Sequence, residues 1–192
     1  AHGVAGKIRA IRYVREKKIP FLGICLGLQC AVIEFAKNVL ALPQANSLEF
    51  DANTPDPVVH WVEGQEGLKK KSGTMRLGAF GCELTKDSLA AEVYGKKSIS
   101  ERHRHRYEVN NKYVEQMAAK GFRVTGIHPA FQDGDQSLVE VMELDRNIHP
   151  YFIGTQAHPE FKSRLGQPAP LFEGLVKAIC EVKNASKESL TQ

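Results

Sequence analysis

Cysteine is scarce in this chain and badly spaced for a framework. Its four cysteines, Cys25, Cys30, Cys82 and Cys180, include no CxxC pair, which argues against a disulfide scaffold and a zinc ribbon. Long apolar runs are also missing. Residues 21–36 are the most apolar stretch, yet Gln29 and Glu34 interrupt it, and it falls short of the roughly 20 residues a membrane span needs. Charge of one sign is weak: 26 Lys and Arg against 22 Asp and Glu leave +4, too little to imply nucleic-acid binding. The chain opens at Ala1 with no Met and no signal-peptide pattern, and is read as a cytoplasmic segment of something longer. What remains, 192 residues with 42% hydrophobic and 25% charged, suits one α/β domain and excludes collagen-like, coiled-coil and wholly disordered chains.

Two periodicities alternate along the chain. Val4, Ile8, Ile11 and Val14 recur at helical spacing, and so do Leu28, Ala31, Val32, Phe35 and Val39. Between them, Phe21-Leu22-Gly23-Ile24 follows Pro20 and reads as a strand buried on both faces. Residues 43–73 are rich in Pro, Asn, Asp and Lys, and read as a long loop or irregular short elements. Met75 to Leu84 alternates like hairpin material, and 111–120 reads as a short helix stopped by Gly121. Strands are predicted at 122–127 and 138–144, joined through 132–135, and again at 151–156; a final helix carries Leu171, Leu175, Ala178 and Ile179. The expected fold is α/β: a flavodoxin-like open, mainly parallel sheet with flanking helices and an antiparallel insertion. The domain is placed at 1–183, and 184–192 is read as a polar, frayed tail.

The chemistry concentrates at two places. Gly23-Ile24-Cys25-Leu26-Gly27 sits between a strand and an amphipathic helix, the setting of a nucleophile elbow with Cys in place of Ser. A helix N-terminus lowers a thiol pKa, and the N–H of Leu26 is placed to donate to an oxyanion. The competing reading is a buried structural cysteine in a glycine turn. A cysteine nucleophile needs a base and an orienter. Of seven histidines, three precede proline, and only His158 has an acid two residues on, in His158-Pro159-Glu160. In an extended segment those two side chains point the same way, so Glu160 can hold the imidazole tautomer.

The elbow and the later His-Pro-Glu together resemble the class I, triad-type glutamine amidotransferases. Within them, residues 21–29, 45–50, 73–78, 101–110 and 156–161 resemble the glutaminase domain of the CTP synthases, most tellingly in Met75-Arg76-Leu77-Gly78 and His103-Arg104-His105-Arg106-Tyr107-Glu108-Val109-Asn110. The resemblance implies hydrolysis of the glutamine side-chain amide, with Cys25 as nucleophile, His158 as acid and base, and Glu160 as orienter. It also implies that Leu26, Gln29, Glu49 and Arg106 hold glutamine. A carboxylate suits the α-ammonium and a guanidinium forks onto the α-carboxylate. Ala157 departs from the aromatic that many relatives carry before the histidine.

The same resemblance implies a synthetase domain in cis that binds UTP and ATP with magnesium, GTP as an activator, and a homotetramer. No cofactor or metal is expected in the segment itself, and neither a nucleic-acid nor a membrane partner. By the family pattern, the chain starts after the first strands and after the glycine loop that gives a second oxyanion donor. Two other readings stand beside this one: another cysteine hydrolase of the same fold, of the γ-glutamyl peptidase type, and an inactive interaction fragment. In the Arg-His-Arg-His-Arg run, an extended backbone would put Arg102, Arg104 and Arg106 on one face and His103, His105 and Tyr107 on the other.

Overall fold

The computed structural model describes residues 3–61, 75–129 and 138–188. Chain order begins α1 (Val4–Glu16), β1 (Phe21–Ile24), α2 (Leu26–Asn38), β2 (Asn46–Ser47), β3 (Pro57–Trp61) and β4 (Arg76–Leu84). It continues with α3 (Leu89–Tyr94), β5 (Ser98–His105), β6 (Tyr107–Val109), α4 (Val114–Ala118), β7 (Phe122–Ile127), β8 (Val139–Leu144), β9 (Phe152–Thr155) and α5 (Pro170–Glu188). Six strands form the main sheet in the order β1-β9-β8-β7-β4-β5, and β2-β3-β6 form a smaller one.

Strand alternation divides the hydrophobic core in two. Phe21 and its register partner Phe152 stack at 4.6 Å on the α1–α2 side, while Leu22 and Ile153 point to the α3–α5 side. Between the α1 layer and the sheet, α2 is buried along residues 28–36, so it is apolar around most of its circumference. Its one buried acid, Glu34, takes a two-pronged ion pair from Arg15 of α1 at 2.7 and 2.8 Å, which explains a charge inside the chain's most apolar stretch.

The α/β class and the flanking helices are as expected, but the strand directions differ from a mainly parallel sheet. In the main sheet only β1–β9 is parallel; β9–β8, β8–β7, β7–β4 and β4–β5 are all antiparallel. The physical reason is connectivity. A parallel neighbour needs a long crossover, and the stretch from β4 to β9 runs through antiparallel pairings. Within residues 75–84, Arg76–Leu84 form one nine-residue strand rather than a local hairpin, because the partner β5 arrives only after α3. Within residues 43–73, β2 and β3 are ordered strands, residues 62–74 lie outside the described residues, and so does the 132–135 connection. The C-terminal helix continues to Glu188, past the expected end of regular structure at 183. Among the described residues no helix is long and apolar enough to cross a membrane.

Two glycines set how closely α2 approaches the sheet. A Cβ at Gly23 would lie 2.8 Å from the Gly27 carbonyl carbon, and one at its register partner Gly154 would lie 2.7 Å from Leu28. The Gly23 obstruction is main chain and cannot rotate away. Gly23→Ala should therefore lower the unfolding free energy by about 2–3 kcal/mol, measured by chemical denaturation. A cost under ~0.5 kcal/mol would mean that α2 slides freely.

Candidate active site

Cys25 directly follows β1 and caps α2, with φ 50° and ψ −102°. A non-glycine residue at positive φ stores strain that surrounding structure must hold, and the hold is visible: the Cys25 amide donates to Thr155 O at 2.7 Å. That bond continues the β1–β9 ladder by one residue, so the thiol stands at the carboxyl edge of two parallel strands. The Leu26 N–H, first in α2, lies beside the sulfur and favours its charged form. Burial nevertheless pushes the thiol up to about 11, with Glu108, Glu160 and Glu49 adding to the rise and the Leu26 donor opposing it. At neutral pH the resting group is a thiol.

His158 lies just beyond β9, past the same sheet edge. Its amide donates to Arg102 O at 2.8 Å and its ring stacks on Phe161 at 5.0 Å. Nδ1 donates to Glu160 Oε1 at 2.6 Å. The carboxylate accepts only, so Nδ1 carries a proton, and in the neutral ring this leaves the lone pair on Nε2. Nε2 is buried without a hydrogen-bond partner, as a base waiting for a reacting group would be. Glu160 reaches the ring through a 3₁₀ turn at Pro159–Phe161, not through the extended segment expected from sequence. Proline at the first position of that turn removes a donor that would have gone unpaired.

The residues assigned to glutamine fall around the thiol at different depths. Leu26 is half-buried at the elbow, Gln29 is buried, and Glu49 and Arg106 are exposed. Glu49 and Arg106 both act electrostatically on Tyr107, and Glu49 on Cys25 as well, so all four share one neighbourhood. Tyr107 itself packs against Trp61, ring centroids 4.2 Å apart and planes tilted by 35°. Gln29 spends its Nε2 on Tyr107 O at 3.0 Å and on Gln156 Oε1 at 3.3 Å. The Arg-His-Arg-His-Arg run is extended in β5 only as far as His105, with Arg102 and Arg104 exposed and His103 and His105 buried; Arg106 follows in a bend outside the strand. The arginines line a groove with Met75, Leu77 and Phe161.

A buried polar cluster beside the site escaped the sequence reading. Arg76 bridges Glu108 at 3.2 Å and Glu140 at 2.7 Å, with its guanidinium 4.6 Å over the Phe80 ring. Burial raises both carboxyls, Glu108 to about 8, because one guanidinium cannot neutralise two acids. Burial likewise drives His103 down to about 2 and His105 to about 3, so both imidazoles are neutral and their approaches to the acids are not ion pairs.

Their tautomers follow from one atom. Tyr107 O only accepts, so His105 Nδ1 at 3.2 Å must donate to it. His105 Nε2 then accepts from His103 Nδ1 at 2.9 Å, and His103 Nε2 presents a lone pair 3.5 Å from Glu140 Oε2. The available signal was Glu140 itself, an acid in the middle of an apolar strand. Among the described residues no three His, Cys, Asp or Glu gather in a way that would hold a metal ion.

A family model described as Glutamine amidotransferase class-I matches residues 1–178. The chain belongs to that family. Among curated amidotransferase relatives, a CTP synthase of Caldanaerobacter subterraneus subsp. tengcongensis is 53% identical over 181 residues, covering 94% of this chain and 32% of its own length. One from Methanococcus maripaludis is 55% identical over 179 residues, covering 93% and 32%. The chain thus spans about a third of the curated relatives it matches. Among solved structures, the Trypanosoma brucei CTPS glutaminase domain with bound acivicin superposes with TM-score 0.86 at 34% identity, over 93% of this chain and 67% of that one.

Proposed function

We propose that this amidotransferase chain is the glutamine-hydrolysing unit of a CTP synthase. The observation that carries it is the pairing of a strained, helix-capping Cys25 with an imidazole whose Nδ1 is held by Glu160 and whose Nε2 is free, at one edge of the β1–β9 pair. The identity with CTP synthases of two distant organisms gives the class of enzyme.

In this reading His158 Nε2 takes the proton from Cys25 as the sulfur attacks the side-chain carbonyl carbon of glutamine. The carbonyl electrons move onto oxygen, which accepts from the Leu26 N–H. Collapse breaks the C–N bond, and His158 returns its proton to the departing ammonia. A water then attacks the thioester with His158 as base. Glutamate leaves and the thiol is restored, so glutamine and water become glutamate and ammonia. Burial of Cys25 suits this sequence: a thiolate formed only as His158 is protonated is less open to oxidation than a standing anion.

Glu49 and Arg106 receive the α-ammonium and α-carboxylate, which separates free glutamine from a glutamine side chain inside a peptide. Leu26 lines the amide end, and Gln29 supports the pocket from below. The ammonia serves a synthetase domain in cis, which uses ATP with magnesium to aminate UTP and responds to GTP. The groove between Arg102, Arg104, Leu77 and Phe161 faces that domain in this reading, and Leu77, 65% exposed, is the apolar side chain of the groove with most to gain from cover.

A glutamine analogue with a diazoketone in place of the amide should label Cys25 alone among the four cysteines, with free glutamine protecting it. Peptide mass spectrometry reads the outcome. An unlabelled Cys25 in a demonstrably folded chain would refute the glutaminase reading.

A further inference from the structure

Gln156 has no place in the proton transfers above, yet it is fully buried and points at the nucleophile. Its Nε2 lies 3.6 Å from Cys25 Sγ, and its Oε1 lies 3.3 Å from Gln29 Nε2. A side-chain amide can be turned end for end without changing its shape, so its orientation has to be argued from its partners. Here the partners leave one solution. The second contact of Gln29 Nε2 is Tyr107 O at 3.0 Å, a main-chain carbonyl that only accepts. Turning Gln29 would set its oxygen against that carbonyl. Turning Gln156 alone would set its –NH2 against the –NH2 of Gln29. Turning both restores the first conflict. The end of Gln156 that faces sulfur is therefore the donor.

We propose that Gln156 is a positioning residue for the nucleophile: its amide, locked by Gln29 and the Tyr107 carbonyl, donates an N–H to Cys25 Sγ and so stabilises the thiolate as it forms. A donor to the charged form favours that form. The Gln156 side chain donates to the sulfur, and the nearby Leu26 amide also favours negative charge there. They oppose the burial and the acidic neighbours Glu108, Glu160 and Glu49 that disfavour negative charge there. The Gln156 bond also fixes the sulfur's rotamer at a residue whose backbone is already strained. This deepens the reading of Cys25 as nucleophile and rests on it.

The test is the alkylation rate of Cys25 by iodoacetamide as a function of pH, in the 192-residue chain. Peptide mass spectrometry resolves each cysteine, and exposed Cys180 serves as the internal reference. Gln156→Met keeps length and bulk but removes the donor. The Cys25 rate at pH 8 relative to Cys180 should fall about threefold, since a one-unit rise in thiol pKa costs tenfold in thiolate while making that thiolate a better nucleophile. Gln156→Glu, nearly isosteric, aims a carboxylate at sulfur and should lower the ratio at least ~10-fold. Gln29→Met, which unlocks the amide without touching it, should give part of the first effect. A purely structural role would lower thermal stability and leave the Cys25-to-Cys180 ratio unchanged or raised, and that result in folded Gln156→Met and Gln156→Glu would overturn the proposal. The alkylation needs no glutamine, so it stands apart from the diazoketone experiment: failure there with the expected ratios here would remove the substrate and keep the donor.

Discussion

Glutamine-dependent CTP formation should disappear when Cys25→Ala is introduced into an enzyme that carries this chain together with a synthetase domain, while ammonia-dependent formation persists. The expected loss is at least ~10⁴-fold in turnover, the scale on which removal of a covalent nucleophile acts. Without sulfur no thioester forms, and water would have to attack an unactivated amide. The substitution is gentle on structure. Alanine has the same backbone preferences as cysteine at φ 50°, so the elbow keeps its strain, and the Cys25 amide keeps its bond to Thr155 O. The ammonia-dependent rate is the control that gives the result meaning. Retained glutamine use would refute Cys25 as nucleophile, whereas loss of both rates would report damage to the fold.

Arg76→Ala is expected to be the most destabilising single change among the charged residues described. The guanidinium alone faces two buried carboxyls, Glu108 and Glu140, and removing one partner of a buried pair typically costs about 3–5 kcal/mol. Thermal or denaturant unfolding measures it. Adding Glu108→Gln and Glu140→Gln to Arg76→Met should recover much of the loss, because the cost lies in stranded charge. No recovery would place the effect in packing against Phe80 instead.

The same cluster predicts a pH slope. Glu108 has a native pKa of about 8 against roughly 4.3 in an unfolded chain. Between those values the native state holds a proton that the unfolded state has released. Its contribution is complete below about pH 4 and is lost as pH rises towards 8. Glu108→Gln should flatten that part of the stability profile.

Local features of the site were legible in the sequence because their causes are local. The elbow is a run of five residues, and the buried and exposed faces of β5 follow from a period of two at His103, Arg104 and His105. The contact of His158 with Glu160 was legible as a pairing but not as a backbone, since a 3₁₀ turn and an extended segment can both bring i and i+2 together. Strand direction was not legible, because β4 finds β5 and β7 only after intervening helices. The helix α3 went unread for a related reason. Its first two amides are capped by Glu143, fifty-four residues from Leu89, although its ends also carry local signals, the Ser88 N-cap and the left-handed Gly95. Arg76, Glu108 and Glu140 likewise meet across 32 and 64 residues of chain. The expected polar tail proved helical to Glu188 because charge on a solvent-facing helix is no obstacle to it.

One carbonyl, that of Tyr107, begins both directional hydrogen-bond chains beside the thiol: one through Gln29 to Gln156, the other through His105 to His103. It belongs to the peptide unit, so it survives every substitution at position 107. Evolution can exchange the ring that packs against Trp61 and still pass on the same donors and acceptors. The handedness of the network is inherited with the main chain, and only a peptide flip would erase it.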